Sequence, residues 1–322
     1  MTAPPALDAV VIGRNEGARL IACLESMRDD VRRMIYVDSG SEDGSVEAAR
    51  ALGAEVVELD PARPFTAARA RNAGLARLDG TTDFVQLVDG DCALRRGWIA
   101  AASRYLRDNP QTAVVCGRRR ERHPEASLYN RLCDAEWDTP IGPARACGGD
   151  ALMRLGALRA VGGYRDDLIA GEEPELCVRL RQAGWVVYRL DHEMTWHDAA
   201  MTRFPQWWRR AWRAGHAFAE GAALHGAPPE RHWVTETRRA LIWGLVLPVA
   251  VLLGAVIWPG ALVLLLIYPA QVLRLAARKR ISRAGWEQAL FSVLGKFAEA
   301  FGVVDYWQKR LRGQHGRIIE YK

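Results

Sequence analysis

The sequence predicts an α/β domain built on a mostly parallel sheet, followed by a helical, membrane-associated tail. Short β-branched runs alternate with helical patterns through the first two thirds of the chain, the signature of βαβ units. Residues 84–92, Phe-Val-Gln-Leu-Val-Asp-Gly-Asp-Cys, form an apolar run without simple alternation, as expected of a strand covered on both faces. The last third has another composition: nine of the twelve tryptophans lie at or after Trp196, and the longest apolar runs fall within residues 241–275.

The first strand is placed at residues 9–12, with a polar turn, Gly13-Arg14-Asn15-Glu16-Gly17, after it. Residues 18–27 put Leu20, Ile21, Cys23 and Leu24 at helical spacing. A second strand at 34–37 runs into Asp38-Ser39-Gly40-Ser41, a helix at 46–52 follows, and a third strand occupies 55–59. The helix after Phe65 carries small residues for close approach to the sheet, with Arg69, Arg71 and Asn72 directed at the strand ends. The buried strand at 84–92 stops at Asp89-Gly90-Asp91. In open α/β sheets ligands bind beyond the carboxyl ends of strands, so these acids are placed at a crevice. Paired carboxylates there suit Mg²⁺ or Mn²⁺, although Asp-Gly is also ordinary turn chemistry.

Beyond this strand, a helix is predicted at 98–106 and a strand at 113–116, and the basic run 118–122 reads as a solvated face. Residues 140–149 form a Gly/Pro-rich loop before a strand and helix that start at Asp150. Gly171-Glu172-Glu173-Pro174-Glu175 opens a helix; acids there favour the helix dipole, and Pro174 is placed at the first helical position. A strand at 185–190 precedes His192, Trp196 and His197.

In the tail, residues 203–220 mix aromatic and arginine side chains on one helix, which suits a lipid interface. Two apolar runs, 241–257 and 261–275, are separated by Pro259-Gly260, each near or below the ~17 residues a spanning helix needs. Arg238 and Arg239 precede the pair, and Arg274, Arg278, Lys279 and Arg280 follow it, so a hairpin with both ends cytoplasmic is expected, spanning or re-entrant. Residues 286–304 align Leu290, Phe291, Leu294, Phe297 and Phe301 as an interfacial or bundle helix, and 309–317 form a basic cytosolic end. The organisation expected is 1–200, 201–239 and 240–322: α/β domain, interfacial Trp/Arg-rich helices, and membrane hairpin with an amphipathic helix.

Composition narrows the function classes. The net charge of +6 comes largely from arginines flanking the tail and fits an anionic membrane surface; no nucleic-acid-binding signature accompanies it. The six cysteines lack C-x-x-C spacing and read as reduced packing thiols, and no signal peptide is expected. Gly13 and Gly17 do not give the dinucleotide Gly-x-Gly-x-x-Gly, and a Walker A pattern is absent.

Five blocks, taken in order, resemble glycosyltransferase family 2, the inverting nucleotide-sugar transferases of the GT-A fold. They are Val-Ile-Gly-Arg-Asn-Glu from Val11, Val-Asp-Ser-Gly-Ser-Glu-Asp-Gly-Ser from Val37, Ala-Arg-Asn-Ala-Gly from Ala70, Val-Asp-Gly-Asp from Val88, and the stretch from Gly171 to Trp185. The resemblance covers about residues 8–200. It implies that Asp38 contacts the base or ribose of the donor nucleotide, and that Arg14, Glu16 and Arg71 line the nucleotide and diphosphate site. Asp91 becomes the direct metal ligand, Asp89 holds the ribose or a metal-bound water, and His197 is an additional ligand. Glu173 takes the catalytic-base position in a block that usually reads Glu-Asp, which leaves Glu172 or Glu175 able to share the role. Gln206-Trp207-Trp208-Arg209-Arg210 looks like a relative of the Gln-x-x-Arg-Trp motif, with Arg210 in place of tryptophan, so processive synthesis is not implied; Gln206, Arg209 and Arg210 become candidate phosphate ligands.

The implied reaction is a single inverting displacement. Glu173 removes the acceptor hydroxyl's proton as it attacks the anomeric carbon, and Mn²⁺ or Mg²⁺ neutralises the leaving diphosphate. The tail directs the acceptor choice to a polyprenyl-diphosphate-linked glycan in bacterial polysaccharide, exopolysaccharide or glycolipid assembly, at the cytoplasmic face of the inner membrane. Two alternatives remain at this stage, a polyprenyl-phosphate sugar synthase and a catalytically inactive nucleotide-binding membrane scaffold. A homo-oligomer is left open.

Overall fold

The structure, a computed structural model, describes residues 5–279 and 282–313. Arg280 and the basic end beyond Gly313 lie outside the described residues. The chain forms two compact units, Met1–Pro124 with Cys133–Ala199, and Glu125–Leu132 with Ala200–Lys322.

In the first unit β1 (Leu7–Gly13), α1 (Ala18–Glu25), β2 (Arg33–Asp38), α2 (Ser45–Ala51), β3 (Glu55–Glu58), α3 (Ala67–Leu75) and β4 (Phe84–Asp89) alternate as expected. The β-branched centres of β1, β2 and β4 are buried on both sides because helices cover both faces. These strands pair in parallel in the order β3-β2-β1-β4. The chain therefore leaves β1 in one direction and returns to β4 on its other side. That reversal opens a crevice at the carboxyl ends of β1 and β4, where Ile12 is the register partner of Asp89.

The remainder of the unit departs from simple alternation. β5 (Cys92–Leu94), α4 (Trp98–Asp108), β6 (Thr112–Glu121), α5 (Leu128–Glu136, of which the part up to Leu132 belongs to the second unit), β7 (Gly142–Pro143), β8 (Ala151–Arg154), α6 (Leu155–Ala160), α7 (Glu172–Gln182) and β9 (Val186–His197) follow. β8 is antiparallel to both β4 and β6, and β9 is parallel to β6 but antiparallel to β5, so the sheet is mixed. Two strands outrun their apolar cores. β6 continues through the basic run expected to be solvated, and Arg119 is held there by the buried Asp150 rather than by water. β9 continues through His197, so that histidine lies on a strand and not in a loop after it. Pro174 is the third residue of α7 rather than the first, which costs nothing because donors of the first turn have no intrahelical partner. All six cysteines are buried and unbridged.

The second unit is helical. α8 (Phe204–His225) crosses α12 (Arg283–Leu311) at small residues: a Cβ on Gly215 would meet the Glu299 carbonyl at 2.0 Å, and one on Gly302 the Trp212 carbonyl at 2.0 Å. Glycine permits this backbone contact, so α12 packs through Ala289, Gly295, Ala298 and Gly302, while Leu290 and Phe301 of the expected apolar stripe stay exposed. Arg131 of α5 forks onto Glu287 at 2.9 and 3.0 Å, and Trp207 meets the Phe291 ring edge-on at 4.8 Å. α9 (Val234–Leu241), a π turn at Ile242–Val246 and α10 (Leu247–Ile257) form one helix of 24 residues. A 3₁₀ segment (Pro259–Leu266) and α11 (Ile267–Arg278) form another of 20. Both exceed the apolar runs because their polar flanks continue the helix, and both are long and apolar enough to cross a membrane. Leu253, Val256 and Ile257 are 65%, 84% and 89% exposed, a surface that water does not favour.

Candidate active site

The crevice is organised by one buried arginine. Arg71, on α3, is 2% exposed, and its guanidinium reaches the acids of β4 and α7. Nη2 donates to Asp89 Oδ1 at 2.7 Å, while Nη1 lies 3.0 Å from Glu172 Oε1 and 2.6 Å from Glu173 Oε1. Tyr164 packs its ring 5.6 Å from the same guanidinium. A fork that holds several carboxylates at fixed angles is a geometry lysine cannot supply. Burial opposes the Arg71 charge, but Glu173, Asp89 and Glu172 outweigh it and push its pKa up. Burial raises the Glu173 carboxyl from 4.5 to about 7, against the lowering effect of Arg71 and with help from Glu172 and Asp89.

The neighbouring acids have different tasks. Glu175 is gripped by Arg179 one turn later, at 2.7–3.0 Å, and Arg179 also donates to the Val161 carbonyl. It is thus committed to holding α7. Asp89 sits under Gly149: a Cβ there would lie 2.5 Å from Asp89 Oδ2 and 2.7 Å from Arg71 Nη2, so only glycine lets the loop before β8 close over the pair.

Asp91 forms a second cluster with His197. Cys92 and His197 are register partners across β5 and β9, which brings His197 Nε2 to 3.5 Å from Asp91 Oδ2. Both side chains are buried, and His197 Nδ1 has no hydrogen-bond partner among the described residues. Trp137 abuts the imidazole edge-on at 4.7 Å. Glu121 lies 3.9 Å from Nδ1, but its oxygens already accept from the backbone N–H groups of His123 and Ala199. The Cys92 thiol beside Asp91 is pushed well up, by burial first and then by Asp150, so it stays protonated and is a poor ligand for a hard cation.

The ends of β1 and β2 supply the remaining wall. Asp38 is buried and accepts from the Tyr36 hydroxyl and from Gly40 and Ser41 N–H, each at 2.8 Å, which shapes the loop after β2. Asn15 ties that loop to the β1 turn: its N–H donates to Ser41 Oγ and its Oδ1 accepts from Glu42 N–H. Arg14 is exposed, 6.0 Å from the Phe65 ring. Glu16 pairs with Arg19 at 2.7 Å, and its Cγ lies beside Gly13 and Gly90, against the turn between Asp89 and Asp91. Arg14, Glu16, Asp38, Arg71, Asp89, Asp91, Glu172, Glu173 and His197 all belong to the first unit. Gln206, Arg209 and Arg210 lie on α8 in the second, where Gln206 Oε1 accepts from Thr202 and Arg203 N–H and caps the helix.

Sequence reading missed a buried pair behind the crevice. Asp150 Oδ2 lies 3.0 Å from Arg119 Nη2 and accepts from the Thr195 hydroxyl at 2.8 Å, while Oδ1 accepts from Asp89 N–H at 3.3 Å. Arg119 also lies over the Trp137 ring at 5.4 Å. Gly148-Gly149-Asp150 was the available signal, an acid directly after a glycine pair that admits close backbone approach.

Residues 8–145 match the family described as Glycosyl transferase family 2. They form a family 2 glycosyltransferase domain. A pre-mycofactocin glycosyltransferase of Mycobacterium tuberculosis is 31% identical over 233 residues, 67% of this chain and 46% of that protein. This chain spans about half the length of that relative. The succinoglycan biosynthesis protein ExoA of Rhizobium meliloti is 25% identical over 67% of this chain and 69% of its own length. The fold is shared with a mannosyltransferase of Pyrobaculum calidifontis solved with GDP-Man and Mn²⁺, at a TM-score of 0.62, 22% identity, and 96% and 89% coverage of the two chains. The mixed sheet with flanking helices in the first unit is thus that of the GT-A fold.

Proposed function

We propose that the chain is a metal-dependent, inverting glycosyltransferase that passes a sugar from a nucleoside-diphosphate sugar to a lipid-linked, polyprenyl-diphosphate acceptor at the cytoplasmic face of a bacterial membrane. The observation that carries the reading is the Arg71 cluster: one fork arginine at the sheet's switch point holds Asp89, Glu172 and Glu173, with Asp91 and His197 next along the chain and the sheet.

Glu173 is the base in this reading. Its proton affinity near neutrality suits removal of a hydroxyl proton as the acceptor oxygen attacks the anomeric carbon. The bond to the nucleoside diphosphate breaks as the new glycosidic bond forms, and a single displacement inverts the carbon. Arg71 fixes the carboxylate's direction. Asp91 and His197 would hold Mn²⁺ or Mg²⁺: their facing atoms, 3.5 Å apart, are close to the ~3 Å between adjacent ligands of an octahedral ion. Such an ion would supply positive charge to neutralise the leaving diphosphate. Arg14, Glu16 and Asp38 shape the nucleotide pocket, and Gln206, Arg209 and Arg210 serve at the membrane interface. Residues 1–200 act as the catalytic domain, 201–239 as interfacial helices and 240–322 as the membrane hairpin with its closing helix.

The lipid acceptor is supported by two apolar helices with exposed faces, and the polysaccharide context by the named role of ExoA. The nucleotide and metal are supported by the ligands of the Pyrobaculum structure. The test is calorimetry of the detergent-purified chain with a panel of nucleoside diphosphates, with Mn²⁺, with Mg²⁺ and with chelator, followed by product analysis on lipid acceptors. Metal-dependent binding of one nucleotide and transfer to a diphosphate-linked glycan are expected. A product with one sugar on a lipid monophosphate would overturn the acceptor assignment, and binding without any transfer would favour a scaffold.

A further inference from the structure

The second unit carries a basic pocket lined by none of the residues assigned to sugar transfer. About 320 Å³ is bounded by Arg239 of α9, Trp243 of the π turn, Arg274 and Arg278 of α11, and Val293 and Lys296 of α12. Among the described residues no carboxylate lines it. Lys296 pairs with Glu299, whereas no side-chain hydrogen bond or ion pair engages Arg239, Arg274 or Arg278 among the described residues. Cations gathered around one space repel each other unless an anion joins them.

The cavity's position identifies the anion's carrier. Arg239 lies near the start of the helix Val234–Ile257, and Arg274 and Arg278 lie at the end of Pro259–Arg278. The two helices form a hairpin, held where the Tyr268 hydroxyl donates to the Trp243 carbonyl at 2.6 Å and where Ala261 faces Gly254. All three arginines therefore lie at the open end of the hairpin, opposite the exposed apolar turn at Val256, Ile257 and Trp258. Next to Trp243, a Cβ on Gly244 would meet the Lys296 carbonyl at 2.0 Å, so the first helix touches the α12 backbone there. Guanidinium forks match phosphate oxygens in pairs, and Trp243 and Val293 offer an apolar wall to whatever the phosphate is esterified to. At ~30 Å³ per water the space equals roughly ten waters, more than one phosphate fills.

We propose that this cavity binds the phosphate or diphosphate ester of a membrane lipid, at the level where the apolar helices meet the aqueous face. The inference rests on the membrane reading above and not on the transfer chemistry. Basic pockets at the ends of membrane helices hold lipid headgroups by this physics.

The test uses the full chain in phosphatidylcholine nanodiscs, without donor, and measures binding of phosphatidylglycerol, a polyprenyl diphosphate and inorganic diphosphate to the wild type, to Arg274→Gln/Arg278→Gln, and to Arg312→Gln as a basic site outside the cavity. At least one lipid should bind the wild type and lose about tenfold or more in the double variant, with Arg312→Gln unchanged and donor-nucleotide binding retained in all three. Equal lipid binding by wild type and double variant, or an equal loss in Arg312→Gln, overturns the site. Inorganic diphosphate binding as tightly as either lipid overturns the lipid assignment. A chain that binds lipid here but transfers nothing defeats the transfer reading alone, and a double variant that binds lipid and transfers normally defeats this inference alone.

Discussion

Glu173 makes the sharpest prediction because its burial and its proposed task act on the same proton. With a carboxyl pKa of about 7, roughly one molecule in eleven is ionised at pH 6 and roughly ten in eleven at pH 8. If Glu173 is the base, kcat/KM should rise about tenfold between those pH values, on a single-proton curve whose slope approaches one only below pH 6. A glutamate at its ordinary value would be almost fully ionised at both and give a flat profile. Glu172→Gln supplies the internal control: it removes a negative neighbour that holds the Glu173 pKa up, so the acid limb should move to lower pH. Glu173→Gln should keep donor binding and lose about 10²–10⁴ in transfer. The assay is initial-rate sugar transfer from radiolabelled donor at fixed metal, with donor binding measured at each pH. A profile flat from pH 6 to pH 8, or Glu173→Gln transferring within a few-fold of the wild type, would refute the argument.

The same proton affects stability. The folded chain holds the Glu173 proton more tightly than an unfolded chain does, so this group's contribution to stability is fully present below about 4.5 and is lost as pH rises towards 7, by at most on the order of 3 kcal/mol. Glu173→Gln should flatten that dependence, read as thermal midpoints in detergent at pH 5 and pH 8; an unchanged difference between the two would count against a raised pKa. Arg71→Gln leaves three acids without their shared cation and should cost about 3–5 kcal/mol while moving the acid limb to higher pH, and an unaltered pH profile would exclude Arg71 from the base's environment. Gly149→Ala drives a methyl onto Asp89 and Arg71 and should cost about 1–3 kcal/mol, seen as weaker donor binding; wild-type binding would show that the loop yields freely. His197→Ala should raise the Mn²⁺ concentration needed for half-maximal donor binding about tenfold or more, and an unshifted titration would remove His197 from the metal site.

The parts of the candidate site that the sequence made legible are those whose chemistry is local. Asp89-Gly90-Asp91 follows an apolar run, and Glu172-Glu173 opens a helix, so each announces both its element and where that element ends or begins. The alternation that placed β1 to β4 is local too, since each strand carries its own buried pattern. What was not legible depends on pairing across distance. Arg119 belongs to a run of charges that looks solvated, and only the return of β8 beside β6 places Asp150 against it. Likewise nothing in residues 84–92 says that β9 will run antiparallel to β5 and deliver His197 to Asp91. The Arg71 cluster combines both cases. Its residue types were readable from their blocks, but one guanidinium spanning α3, β4 and α7 makes their charges interdependent. A substitution in any block must therefore alter the proton affinity in another, and the opposite pH shifts expected from Glu172→Gln and Arg71→Gln follow from that shared contact.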